Sequence, residues 1–156
     1  MKIGASTYSL SKAIKAGAFD VLGAFDWLAH NRGEHIEIVP LEGVFSLVET
    51  PGLATAMAAE AKALGIDISC YTFGASSIDR TGPAFNTELD RVRRQVDLAA
   101  RLGARLVRHD VAFRPAGRNS DEQFDSDFAG LVDACGQIAD YAITRRGWPS
   151  PRFARV

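Results

Sequence analysis

Four times along the chain a short extended run is followed by a segment with helical periodicity, and the units recur at intervals of about 31 to 39 residues. This alternation constrains the fold more than any other feature. Strands separated by helices run parallel and are joined by right-handed crossovers. The extended runs are KIGASTYSL (2–10), HIEIVP (35–40), IDISCYTF (66–73) and ARLVRHDV (104–111). The helical segments are FDVLGAFDWLAHNRG (19–33), LATAMAAEAKALG (53–65), FNTELDRVRRQVDLAARLG (85–103) and DEQFDSDFAGLVDACGQIADYA (121–142), each with apolar residues at helical spacing. Pro51 suits a first helical turn, Gly65 and Gly103 suit C-caps, and Ser120 suits an N-cap followed by acids in the first turn. An internal echo supports the repeat, since AKALGIDISCY and AARLGARLVRH align at an offset of 38 residues.

Successive side chains of a strand point to opposite faces. Strict alternation predicts one apolar set under the helices: Ile3 and Ala5, Ile36 and Ile38, Ile66, Ile68 and Cys70, Ala104 and Leu106. The opposite set is more polar: Gly4, Ser6 and Tyr8; His35 and Glu37; Asp67, Ser69 and Tyr71; Arg105, Val107 and His109. Central strands of an open doubly wound sheet are covered on both faces and read as apolar throughout. One helix-covered face and one polar face instead match a (β/α) barrel interior, where the active site lies at the strands' C-terminal ends. The predicted fold class is therefore α/β: a (βα)4 half of a TIM barrel over residues 1–142, with parallel strands and helices on the outer face. Residues 143–156 form a separate tail. A small flavodoxin-like open sheet is the alternative, and the polar faces argue against it.

The composition is that of a globular domain, 47% hydrophobic and 24% charged. All 19 acids precede residue 141 while four of the 18 basic residues follow it, so the body carries about −5 against a whole-chain −1. No nucleic-acid groove is signalled, and Arg91, Arg93 and Arg94 are expected on the solvated face of a helix. Cys70 and Cys135 show neither C-x-x-C nor Cys/His spacing, so they are expected to be buried thiols rather than a disulfide or zinc site. Without an apolar leader or a membrane-length apolar run, a cytoplasmic location is expected. The loop GASSIDRTG (74–82) has no phosphate- or dinucleotide-binding spacing, and His30 and His35 are expected to be structural or solvated.

The order IGASTYS, HIEIVP, AKALGIDISCY, DLAARLGARLVRHDV resembles the xylose isomerase-like TIM barrels, a family of sugar isomerases, sugar-phosphate isomerases and epimerases related to type-2 AP endonucleases. The resemblance spans roughly residues 1–142. It implies that Glu37 and His109 line a sugar pocket at the ends of strands two and four; the alternation of the strands puts Tyr8 and Tyr71 on the same face, as further candidates to line it. It also implies, for full-length members, a divalent metal (Mg, Mn, Co or Zn) held by carboxylates and a histidine from strands five to eight. No such strands are expected in these residues. No cofactor is expected in this chain alone, and no catalytic residue is assigned.

Helix four is expected to end near Tyr141, where a fifth strand would follow. The sequence reads ITRRGWPSPRF (143–153) instead, and Pro149 and Pro151 lack the N–H of a central strand. The tail is expected to be a non-family end, from a truncated or frame-disrupted gene, the alternative being an evolved half-barrel. Four barrel strands leave two open edges and a half-lined interior. Association is therefore expected, with a second copy as a homodimer or with a complementary half, and a small sugar ligand is the candidate substrate. An association module without catalysis is the alternative to an isomerase.

Overall fold

The computed structural model describes residues 2–78, 80–114 and 120–145. Its elements are β1 (Gly4–Ser6), α1 (Ser11–Lys15), α2 (Gly23–His30), β2 (His35–Ile38), α3 (Leu53–Leu64), β3 (Asp67–Phe73), α4 (Gly82–Leu102), β4 (Leu106–His109) and α5 (Asp121–Ile143). The strands form one parallel sheet in the order β1-β2-β3-β4. This is the α/β fold of four parallel strands with helices that the sequence predicts. The first helical segment is shorter than its periodicity suggested, and α1 is an addition. Pro51 lies in the turn before α3 rather than in its first turn; Gly52 is the N-cap.

The core forms where the outer face of the sheet meets α2, α3 and α4. Ile36, Ile38, Ile68 and Tyr71 pack there with Phe25, Met57, Val92 and Val96, all buried. Gly65 and Gly103 end α3 and α4 at φ of 69°, a left-handed conformation that costs other L-residues about 1–2 kcal/mol. Ser120 caps α5, accepting from the Gln123 N–H at 3.2 Å, with Asp121 and Glu122 in the first turn.

The sheet departs from strict alternation at one place. Ile36 pairs with Ile68 but Glu37 pairs with Cys70, so Ser69 is an extra residue in β3. This β-bulge puts Ser69 and Cys70 on the same face and shifts every later residue by one. The shift passes to β4, where Leu106 pairs with Cys70, Val107 with Tyr71, Arg108 with Thr72 and His109 with Phe73. Predicted faces hold up to the bulge and invert beyond it. Cys70 and Leu106, expected under helices, lie on the open face, and Leu106 is 50% exposed. Tyr71, Val107 and His109, expected on the open face, lie on the helix side. Cys70 and Cys135 are only partly buried. Ile3 does lie on the outer face, but it is 63% exposed because none of the described helices covers it.

No helix among the described residues is long and apolar enough to cross a membrane. Arg145, just past α5, packs its guanidinium over the Tyr141 ring and pairs with Asp97. The Arg- and Pro-bearing segment from residue 146 onward lies outside the described residues.

Candidate functional site on the open face of the sheet

The open face gathers its chemistry around Glu37. The Thr72 hydroxyl donates to Glu37 Oε1 at 2.7 Å, and Cys70 Sγ lies 3.5 Å from Thr72 Oγ1. The one Thr72 proton is committed to Glu37, so the Cys70 thiol is the donor in that second contact. A donor chain results, from thiol to hydroxyl to carboxylate. Burial chiefly raises the Cys70 pKa, and the nearby Glu37 charge adds to the rise. The thiol is thus a protonated donor at neutral pH rather than a nucleophile. Arg108, in register with Thr72 on β4, adds an exposed guanidinium to the same face.

Lower on this face, Ser69 Oγ donates to the Ile36 carbonyl at 3.1 Å and lies 3.1 Å from His35 Nδ1. The Ser69 proton is used, so His35 Nδ1 carries the hydrogen and donates to Ser69. His35 therefore holds the bulge in place, a structural role as expected. Gly4 makes room for it: a Cβ there would stand 2.5 Å from the imidazole. Asp67, on the same side, pairs with Lys2 at 2.7 Å and Arg105 at 3.4 Å. The Lys2 hydrogen bond chiefly holds its carboxyl below the usual range, against some desolvation.

A second network fixes the loop after β3. Arg91 forms hydrogen bonds to both Glu88 oxygens and to the Gly74 carbonyl, and the Ser76 N–H donates to Glu88 Oε1 at 3.0 Å. Arg91 is therefore locked into the loop, not simply solvated on its helix. The Ser77 N–H donates to the Val111 carbonyl and the Phe113 N–H to Ser76 Oγ, so the loops after β3 and β4 are joined.

Of the four residues expected to line a pocket, Glu37 is on the open face and is held in a defined orientation. Tyr8 is exposed in the turn after β1, beside the end of β2. Tyr71 is fully buried on the helix side and donates to Gln95 Oε1 on α4 at 2.5 Å; burial pushes its pKa up, with Arg91 acting weakly against this. His109 stacks on Phe73 with ring centroids 5.7 Å apart. Its Nδ1 lies 2.8 Å from the Asp110 carbonyl, so the ring hydrogen sits on Nδ1. The bulge thus separates Tyr71 and His109 from Glu37 and replaces them with Thr72 and Arg108. Sequence reasoning missed these two, and their one signal was polarity near the strands' C-terminal ends.

Among the described residues no three His, Cys, Asp or Glu side chains converge as metal ligands do. Glu37 and His109 stand on opposite sides of the sheet. The described donors do not by themselves fit a divalent metal, and no chemistry is routed through one.

No protein-family profile and no curated protein matches the sequence. Solved structures do match its fold. A xylose isomerase-like TIM barrel/4-hydroxyphenylpyruvate dioxygenase fusion protein matches at TM-score 0.64 and 23% identity, over 91% of this chain and 20% of its own. A sugar phosphate isomerase/epimerase from Parabacteroides distasonis matches at 0.61 and 19%, over 90% of this chain and 48% of its own. A D-psicose 3-epimerase solved in the presence of D-fructose matches at 0.65 and 18%, over 91% and 48%. The chain spans about half the length of these two isomerase and epimerase structures. Strand order and length of match agree: this chain has the fold of one half of a TIM barrel, as these solved structures do over the matched part.

Proposed function

We propose that the open face around Glu37 recognises a polyhydroxylated carbonyl compound, a sugar or sugar phosphate, as the substrate-facing half of an isomerase or epimerase barrel. The observation that carries this reading is the Glu37 carboxylate held by Thr72 on the face shared with Arg108. A fixed carboxylate accepts hydrogen bonds from a diol, and a guanidinium donates to a carbonyl or phosphate oxygen. The names of the structural neighbours, a sugar phosphate isomerase/epimerase and a D-psicose 3-epimerase, point to the same substrate class. Proton transfer beside a carbonyl needs a second acid or base within reach of the substrate. Among the described residues no second acid or base is hydrogen-bonded to Glu37, so binding without turnover is the activity proposed for this chain by itself.

Titration of aldoses, ketoses and their phosphates, followed by NMR shifts of β2, β3 and β4 amides, tests the reading. Binding should weaken about tenfold or more in Glu37→Gln and Thr72→Val, and Arg108→Gln should lose the phosphates selectively, in line with charge-assisted hydrogen bonds of about 1.5–3 kcal/mol. Turnover in magnesium, manganese or cobalt should be absent. Metal retained stoichiometrically after dialysis, with turnover lost in Glu37→Gln, would replace this reading with a working isomerase site. Shifts confined to other elements would remove the site altogether.

A further inference from the structure

Among the described residues the sheet ends in two unpaired edges whose deficits are opposite in kind. At the β4 end there is helix without strand. The apolar face of α5 is buried only toward its C-terminus, where Ala134, Ile138 and Ala142 are covered. Phe124, Phe128 and Val132, on that face and its flank, are each more than half exposed, and the two phenyl rings pack against each other with centroids 5.6 Å apart. On β4 itself Val107 is only half-buried, whereas its neighbour Tyr71 on β3 is fully covered. At the β1 end there is strand without helix: Ile3 faces outward, largely exposed, and Ala5 is half-covered.

We propose that a second copy of this chain closes the sheet, β4 of each copy pairing with β1 of the other to form an eight-stranded parallel barrel with a two-fold axis along its centre. Polarity permits this. All four strands are parallel in the order β1-β2-β3-β4, so a half-turn about that axis sets β1 beside β4 with the same direction and satisfies both edges at once. Association then stops at two, because a closed barrel has no edge left. Eight is also the strand number at which side chains fill a barrel interior. β1, which reads Gly-Ala-Ser, is unguarded, and β4, Leu-Val-Arg-His, has neither proline nor lysine; its one fixed charge, Arg108, points to the open face rather than along the edge.

The same movement supplies what each end lacks. The uncovered part of α5 comes to lie over the second copy's β1, where Ile3 needs a helix. Leu106, exposed on the open face, becomes an interior residue facing its twin across the axis. The solved barrels match this chain over about half their length, so an eight-stranded body of this fold is geometrically attainable from two such halves. The test reads association and is independent of sugar binding.

Sedimentation at micromolar concentration should give a single species of twice the 16.8 kDa chain mass. Phe128→Asp and Val132→Asp should each raise the dissociation constant about 30-fold or more, as for a central apolar contact. Val48→Asp, an equally exposed apolar site just before α3, should leave the dimer intact. Hydrogen exchange on the unmodified chain, above and below the dissociation constant, should show added protection at the β1 and β4 amides and none at β2 or β3. A folded monomer overturns the proposal, as do species growing beyond two copies, or a dimer indifferent to Phe128→Asp and Val132→Asp. Should those variants fail to fold, the exchange pattern decides: protection gained elsewhere, or nowhere, overturns it.

Discussion

Glu88 is an acid kept charged in a buried place, and it shows how single residues position the site. Burial works against its carboxylate, but two hydrogen bonds from Arg91 and one from the Ser76 N–H outweigh it and hold the pKa below the ordinary 4.5. The folded state therefore binds fewer protons than the unfolded state in acid. The contribution is complete above about pH 4.5 and is lost as pH falls through the lowered folded value. Glu88→Gln should lose about 1–3 kcal/mol at pH 7, since Arg91 is left without its anion, and should flatten the fall in stability below pH 5. Urea melts at pH 3.5 to 7 check both; an unchanged acid limb would show that the network is dispensable. At this scale the sequence was only partly legible. Glu37 is readable because β2 carries no extra residue and keeps its parity. Tyr71 and His109 were misread because one extra residue, Ser69, exchanges the faces, and Thr72 and Arg108 stood hidden behind the same exchange. The hydrogen bonds that hold Ser69, to Ile36 and from His35, join residues more than 30 positions apart, so no local pattern announces them.

Helices and their ends were legible because their signals are local. Gly65 and Gly103 close α3 and α4 in the left-handed conformation, and Ser120 caps α5 with its own side chain. The strands were legible as elements, whereas their registry was not, since it depends on partners across the sheet. The distinction yields a paired prediction on glycine. Gly103 sits at φ 69°, where an added Cβ is strained even though the space is open. Gly103→Ala should destabilise by about 1–2 kcal/mol. Gly130 lies within α5, exposed, and a Cβ there meets nothing within 4 Å. Gly130→Ala should stabilise by about 0.5–1 kcal/mol, by restricting the unfolded chain and favouring helix. Denaturant melts of the two variants check the opposite signs. Equal signs would mean that helix propensity, not cap conformation, governs both sites.

On the scale of the whole molecule, the alternation of strand and helix specified the half-barrel, and polarity on one face identified the side left open. What the sequence left unspecified is how that open side is satisfied, because the described residues leave both sheet edges unpaired. If two copies close the sheet, unfolding separates them, and stability must depend on concentration. Each tenfold rise in protein adds about 1.4 kcal/mol per dimer. That increment is divided over the unfolding entropy of two 156-residue chains, roughly 2 cal/mol/K per residue, and so raises the melting temperature by about 2 °C. Across a hundredfold range the midpoint should therefore climb about 4 °C while the transition stays cooperative. The edges make this steeper than any effect of crowding, which amounts to a fraction of a kcal/mol. Calorimetry at several concentrations measures it directly. A midpoint constant across that range, with a sharp transition, would mean that the half-barrel stands alone with its edges in water.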